Sequence, residues 1–233
     1  MTVYVSLPLS GPAAPDGQDA ADGARLALEQ AGGRAGDLEV QARYMDDANP
    51  VERWDPVAVG RNARRAAQDS SAAAYIGELD SQPTRASMPI TNDAGIVQVS
   101  PGASGVDLTQ PAEGYPNSPE RYRPSGGVTF ARVIPSDDEQ VRALVEWAAE
   151  LGVRDATWVL ATGGPFDVLM QSEFEADAAE VGIQVFEARE IGESGPEFIA
   201  GGGPVGPGKL TDGPDAYAVS GAVEPGLLPG TTF

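Results

Sequence analysis

The sequence predicts an α/β protein built on parallel sheets. Short apolar runs alternate with stretches of helical periodicity, the pattern of βαβ units. Gly and Pro mark the ends of these elements, and one strand–turn–helix–strand pattern recurs. Tyr4–Pro12 leads through a helix and Gly32-Gly33 to Leu38–Tyr44, and Trp158–Pro165 leads through a helix and Gly182 to Ile183–Ala188. The recurrence points to two similar lobes.

Each element has a local cause. Val3–Leu9 reads as a buried strand, and Ser10-Gly11-Pro12 as a turn. Asp16 is the expected N-cap of a helix whose apolar face is Ala20, Ala24, Ala27, Leu28 and Ala31. Leu38, Val40, Ala42 and Tyr44 alternate as a strand. Asp55-Pro56 combines an N-cap with proline at the first helical position, and Val59, Ala63, Ala66 and Ala67 form the buried stripe. Ala72–Ile76 is a strand, Ser81–Asn92 a helix and Ile96–Val99 a strand. Right-handed crossovers then place the loops after these strands on one sheet edge.

Residues Gln110–Gly127 interrupt the rhythm with proline and glycine, as a loop or a crossing between lobes. The expected domains are residues 1–127 and 128–233. Val128–Ile134 resumes as strand. Ser136 and Glu139 form a capping box for a helix expected to bury Val141, Leu144, Val145, Ala148 and Leu151, with Gly152 as its stop. Thr157–Ala161, Ile183–Ala188 and Asp215–Ser220 read as strands, Pro165–Val181 as a helix and Pro196–Ala200 as helix-like.

Composition excludes several chemistries. The 233 residues carry 35 acidic and 15 basic side chains, a formal charge of −20, and 41% are hydrophobic. Such a surface repels phosphate backbones and anionic lipid heads, so neither nucleic-acid binding nor direct membrane insertion is expected. With no histidine and no cysteine, Ser-His-Asp triads, thiol nucleophiles, disulfides and His- or Cys-ligated metals are ruled out. No apolar run approaches the roughly 20 residues of a membrane helix. Met1-Thr2 leads directly into Val3–Leu9, so no signal segment is read at the start.

Two strand-to-helix corners draw attention, Gly77–Ser81 (GELDS) and Ser100–Ser104 (SPGAS). Ligands of open α/β sheets bind at the carboxyl ends of the strands. Ser81 and Ser104 are read at helix N-termini, where N–H groups and the dipole favour a carboxylate; simple capping is the competing role. Asp80 is a candidate for an ammonium or cation, and Glu78 reads as a solvated loop acid. Phe166 is either an aromatic cover for a ligand or a core residue on one face with Leu169, Met170 and Phe174. Gly203–Lys209 has the spacing of a phosphate loop. Leu210 replaces its hydroxyl residue, and Pro204 and Pro207 delete donors, so nucleotide binding is rejected.

The words LSGP (Leu9–Pro12), MDDA (Met45–Ala48), YIGELDS (Tyr75–Ser81), VSPGASGVDLT (Val99–Thr109), FARVIP (Phe130–Pro135) and DAYAVSG (Asp215–Gly221) follow one another in a familiar order. The chain resembles a type I periplasmic binding protein of the branched-chain amino acid (Leu/Ile/Val) branch of ABC-transporter substrate-binding proteins. That resemblance implies two Rossmann-like lobes with parallel sheets, the second half incomplete because family members continue beyond the length seen here. It implies a non-enzymatic, extracytoplasmic protein without a cofactor, which binds an amino acid and meets an ABC permease. By position it assigns Leu79, Asp80 and Ser81 to one ligand-binding loop and Gly102, Ala103 and Ser104 to the second. Phe166 and Ala222 fall near its aromatic positions, and Asp16 stands where an aromatic is common. Two rival readings are a ligand-sensing regulatory domain of the same fold and a carboxylate-pair hydrolase using Asp80 and Glu224.

Overall fold

The computed structural model describes residues 1–159, 165–192, 195–200, 203–204 and 216–219. The chain divides into two compact units, one of Met1–Pro111 and Asn117–Ser136, the other of Ala112–Pro116 and Asp137–Phe233.

The first unit is a five-stranded sheet of β1 (Thr2–Leu7), β4 (Gln41–Asp46), β5 (Ala72–Ile76), β6 (Val97–Ser100) and β7 (Phe130–Arg132), in the order β4-β1-β5-β6-β7. Every pairing is parallel. A small hairpin of β2 (Arg34–Ala35) and β3 (Leu38–Glu39) precedes β4. The predicted strand from Leu38 therefore splits, and only its second part joins the central sheet.

The helices are α1 (Ala14–Gln30), α2 (Pro56–Ala67) and α3 (Ser81–Asp93). The period of two in β1 sorts its side chains. Tyr4 packs with Met45, Ala63, Ala66, Tyr75 and Ile96, while Val5 and Leu7 pack with Ala21. Asp55 caps α2 as predicted, its carboxylate accepting the Val57 N–H at 2.8 Å, a contact worth about 1 kcal/mol. Val59, Ala63 and Ala66 are buried. Asp16 does not cap α1. The helix starts at Ala14 behind Ala13, without a side-chain cap, and leaves Asp16 in the first turn.

The first unit extends past Gly127 because β7 adds to β6 rather than opening a second sheet. Asn92 fixes the returning chain, its Nδ2 donating to Gly127 O and Thr129 Oγ1, both at 2.8 Å. The Gln110–Gly127 segment is thus an excursion that begins and ends beside the same sheet.

The second unit comprises α4 (Asp137–Glu150), β8 (Asp155–Val159), α5 (Pro165–Val181), β9 (Gln184–Gly192), β10 (Gly195–Ala200), β11 (Gly203–Pro204) and β12 (Ala216–Val219). Its order is β11-β10-β9-β8-β12. Strands β9, β8 and β12 are parallel, whereas β10 and β11 turn back antiparallel. Pro196–Ala200 is therefore strand, not helix: five residues ending at paired glycines are too short to sustain a helix. Positions 205–209 of the rejected phosphate loop lie outside the described residues. In α4, Val141 and Val145 are buried, but Leu144 is 42% exposed, and Leu151, just past its end, is 67% exposed, so the apolar stripe is wider than the buried face.

Both units repeat one topology. The first strand (β1 or β8) is flanked by β4 or β9 on one side and by β5 or β12 on the other. The recurrence in the sequence is thus a recurrence of strand order.

Candidate functional site

Strand order locates the site. The chain moves from β1 to β4 on one side, then crosses to β5 on the other. The loops after β1 and β5 lead to opposite sides there, the point at which sheets of this order bind ligands. Gly17 permits close approach of α1 to the β1 loop, since a Cβ there would meet Pro8 O at 2.0 Å. Asp46 ties the neighbouring loops together by accepting from Leu9 N–H at 2.9 Å and Ala48 N–H at 3.1 Å. Burial acts to raise its pKa, but these bonds and those from Ser10 outweigh burial and hold the carboxyl low.

The two predicted corners lie side by side on this edge, after β5 and β6. Gln98 Nε2 donates to Gly77 O at 2.9 Å, and Ser100 Oγ donates to Glu78 O at 2.6 Å. The same Ser100 oxygen accepts from Ala103 N–H at 2.8 Å and Gly102 N–H at 3.3 Å. A Cβ on Gly102 would stand 2.6 Å from Leu79 O, so only glycine lets the corners pack this closely.

Neither serine is a side-chain cap. Ser81 is the first residue of α3, behind Asp80, and its Oγ accepts the Gly105 N–H across the gap at 2.9 Å. Ser104 precedes a three-residue 3-10 turn, Val106–Leu108, rather than an α-helix. Leu79, Asp80, Ser81, Gly102 and Ser104 are all partly exposed. Ala103 is fully buried among Met88, Leu108, Tyr122 and Phe130, which leaves its side chain no face toward a ligand. The first N–H groups of α3, at Ser81 and Gln82, have no carbonyl inside the helix to bond, and Pro83 brings none.

The charged frame around the corners was not legible beforehand. Asp107 is buried and receives Arg85 in a bidentate grip, at 2.7 and 2.6 Å, with the Tyr122 hydroxyl at 2.7 Å. Burial, then Asp107, pushes the Tyr122 hydroxyl up to about 12. Arg132, from the end of β7, donates to Gly105 O at 2.9 Å, Ala103 O at 3.3 Å and Thr109 Oγ1. At the mouth, Arg53 lies 3.3 Å from Asp80 and 3.7 Å from Asp16.

Glu78 is not a solvated acid but fully buried, and so is Asp47 beside it. Glu78 Oε1 accepts the Tyr75 hydroxyl at 2.5 Å. Burial, with the neighbouring carboxyl, drives both acids toward the protonated form, Asp47 to about 6 and Glu78 well above its ordinary value. The word MDDA contains Asp47, but nothing in its spacing distinguishes it from a loop acid.

In the second unit, Phe166 sits on α5 and is 38% exposed, while Leu169, Met170 and Phe174 are buried. The core role is taken by the latter three. Ala222 and Glu224 lie outside the described residues. Among the described residues no group of three or more His, Cys, Asp or Glu side chains is placed to hold a metal. No described helix is long and apolar enough to cross a membrane.

A family model described as periplasmic binding protein matches residues 2–200, and the chain belongs to that family. Its fold is that of the solute-binding proteins of ABC transporters. A leucine-binding protein from Thermotoga maritima is similar at TM-score 0.62 and 22% identity, over 81% of this chain and 48% of that one. A solute-binding protein from Rhodopseudomonas palustris, in complex with 3,4-dihydroxybenzoic acid, is similar at TM-score 0.66 and 16% identity, over 94% and 54%. An R. palustris solute-binding protein with 4-hydroxybenzoate gives 0.63 and 18%, over 80% and 45%. The chain thus spans about half the length of these structures. No curated protein matches.

Proposed function

We propose that this protein is an extracytoplasmic solute-binding protein of an ABC importer, taking up a small carboxylate-bearing ligand, in first place an amino acid of the branched-chain type. The observation that carries this reading is the Ser81–Gly105 bond, which joins the Leu79–Ser81 corner beside the switch point of the sheet to the loop that holds Gly102–Ser104. The N–H groups opening α3 and the Ser104 hydroxyl supply donors for a carboxylate, each charge-assisted bond contributing about 1.5–3 kcal/mol. Asp80 stands by for an ammonium. Phe166 and Ala222 are the proposed contributions of the second unit.

The work is binding alone: ligand shifts an open–closed equilibrium, and a permease reads the closed form. No bond is made or broken. An aromatic carboxylate is the second reading, supported by the two R. palustris proteins that hold hydroxybenzoates. Isothermal titration with leucine, isoleucine, valine, polar amino acids and 4-hydroxybenzoate tests both. Heat from an aliphatic amino acid supports the first, heat from the benzoate alone favours the second, and no heat from any of them removes the proposal.

A further inference from the structure

We propose that Asp47 and Glu78 share a single proton in the native protein, and that this proton positions the Leu79–Ser81 corner, so that full ionisation of the pair loosens the corner's hold on ligand. The first part stands on the geometry of the pair; the second rests on the functional reading above.

The two side chains meet just past the ends of β4 and β5, the strands that flank β1, at 1% and 0% exposure, within hydrogen-bonding reach of each other. Donors satisfy only one side of Glu78. Tyr75 donates to Oε1 at 2.5 Å. Asn62 Nδ2 donates to Ser6 Oγ at 3.0 Å, which leaves the Ser6 proton for Glu78. Among the described residues no other side chain donates to Glu78 Oε2 or to either Asp47 oxygen. Two charged carboxylates in contact in a buried site are strongly unfavourable, whereas one proton between them supplies a donor and removes one charge.

The surroundings reinforce this. Asp46 faces the pair from β4 and Asp80 from the corner, both acidic. Tyr75 faces it from β5 as a donor. Ser6 of β1, Asn62 of α2, Thr84 of α3 and Ser100 of β6 are uncharged. Arg53 is engaged with Asp80 and Asp16 at the mouth.

Glu78 is also the joint between the two corners. Its carbonyl accepts Ser100 Oγ at 2.6 Å, and Ser100 in turn holds the N–H groups of Gly102 and Ala103. Its side chain anchors one end of a segment whose other end is Ser81. Glu78 and Asp47 are thus positioning residues that touch no ligand themselves.

The direction of the pH effect follows. Burial raises both carboxyls in the folded state, so the native protein holds more protons than the unfolded chain above the ordinary carboxylate range. The pair's contribution is complete at low pH and is lost as pH rises through the raised values. Infrared spectroscopy and thermal melting between about pH 5 and about pH 8 test the proton. Wild type should show the carbonyl band of a protonated carboxylic acid at neutral pH and a Tm that falls as pH rises. In Glu78→Gln the amide donates without a titrating proton, so the band should vanish and the slope flatten; Asp47→Asn should give the same result and replaces Glu78→Gln if the latter folds poorly. Absence of the band in wild type, or an unchanged slope in both variants, overturns the proposal. So does a Tm raised by added calcium or magnesium, which would put a cation in the proton's place.

Titration with leucine and 4-hydroxybenzoate tests the linkage. Affinity for whichever binds should weaken with rising pH, up to about tenfold per pH unit, the limit for one linked proton, and Glu78→Gln should remove the trend. A pH-independent affinity in wild type overturns the positioning role. If neither probe binds, the functional reading fails with these ligands, while the band and the melting slope still decide the shared proton.

Discussion

Ser81 Oγ accepts the Gly105 N–H at 2.9 Å, joining the first residue of α3 to the loop that follows β6. Two segments 24 residues apart in the chain thereby become one surface. Ser81→Ala leaves the buried Gly105 N–H without its partner and should cost about 1–3 kcal/mol in urea unfolding. Ligand affinity should fall with it, and Ser81→Thr should recover part of the loss. Unaltered stability in Ser81→Ala would mean that the link is incidental.

Gly102 sets how closely the corners approach. Adding a methyl 2.6 Å from Leu79 O forces the loops apart, so Gly102→Ala should destabilise by about 1–3 kcal/mol. The same substitution at Gly127, whose added Cβ meets only Ser125 Oγ at 3.5 Å, is a control with a much smaller effect. Equal midpoints for the two variants would contradict the packing argument.

Asp107 organises the second corner from within. Removing its carboxylate takes away the bidentate partner of Arg85 and the acceptor of the Tyr122 hydroxyl. Asp107→Ala should cost about 3–5 kcal/mol, and Tyr122→Phe about 1 kcal/mol. Denaturant titrations of both variants and of their combination measure the coupling, and strict additivity would argue against a shared network.

Arg53 sits in a different regime. Its partners Asp16 and Asp80 are 62% and 36% exposed, so solvent and salt screen the attraction. Arg53→Ala should change stability by no more than about 1 kcal/mol, and less at high salt. A larger loss in melting experiments would show that the arginine packs rather than merely pairs.

On the opposite edge of the sheet, the Tyr4 hydroxyl donates to Asp69 at 2.7 Å. That bond, then those from Ser71, lowers the Asp69 carboxyl to about 2. A carboxyl lowered on folding stabilises above its unfolded value and loses that effect as pH falls through the folded one. Wild type should therefore lose more Tm than Tyr4→Phe between about pH 4 and about pH 2. Parallel melting curves for the two proteins over that interval would contradict this.

How far the site was legible depended on distance along the chain. The corners themselves could be read because Gly77–Ser81 and Ser100–Ser104 each declare a strand end within a few residues. Ala103 could not be assigned to the core, since its burial comes from Met88, Leu108, Tyr122 and Phe130, the last two of which reach it only after the excursion beyond Thr109. Glu78 looked like any loop acid, because its partners Ser6, Asp47 and Tyr75 come from β1, the residue just past β4, and β5.

The sequence by itself determined the alternation of elements, the Asp55 cap, the parallel first sheet and the repeat between the two halves. Those follow from periodicity, capping and turn residues, which act over one or two turns of chain. Only the tertiary structure decided that β7 closes the first sheet, that Ser81 bonds across to Gly105, and that Asp47 and Glu78 are buried together. Each of these depends on which strands become neighbours. Strand order is fixed by how whole helices cover the two faces of the sheet, a choice that no local run of residues encodes.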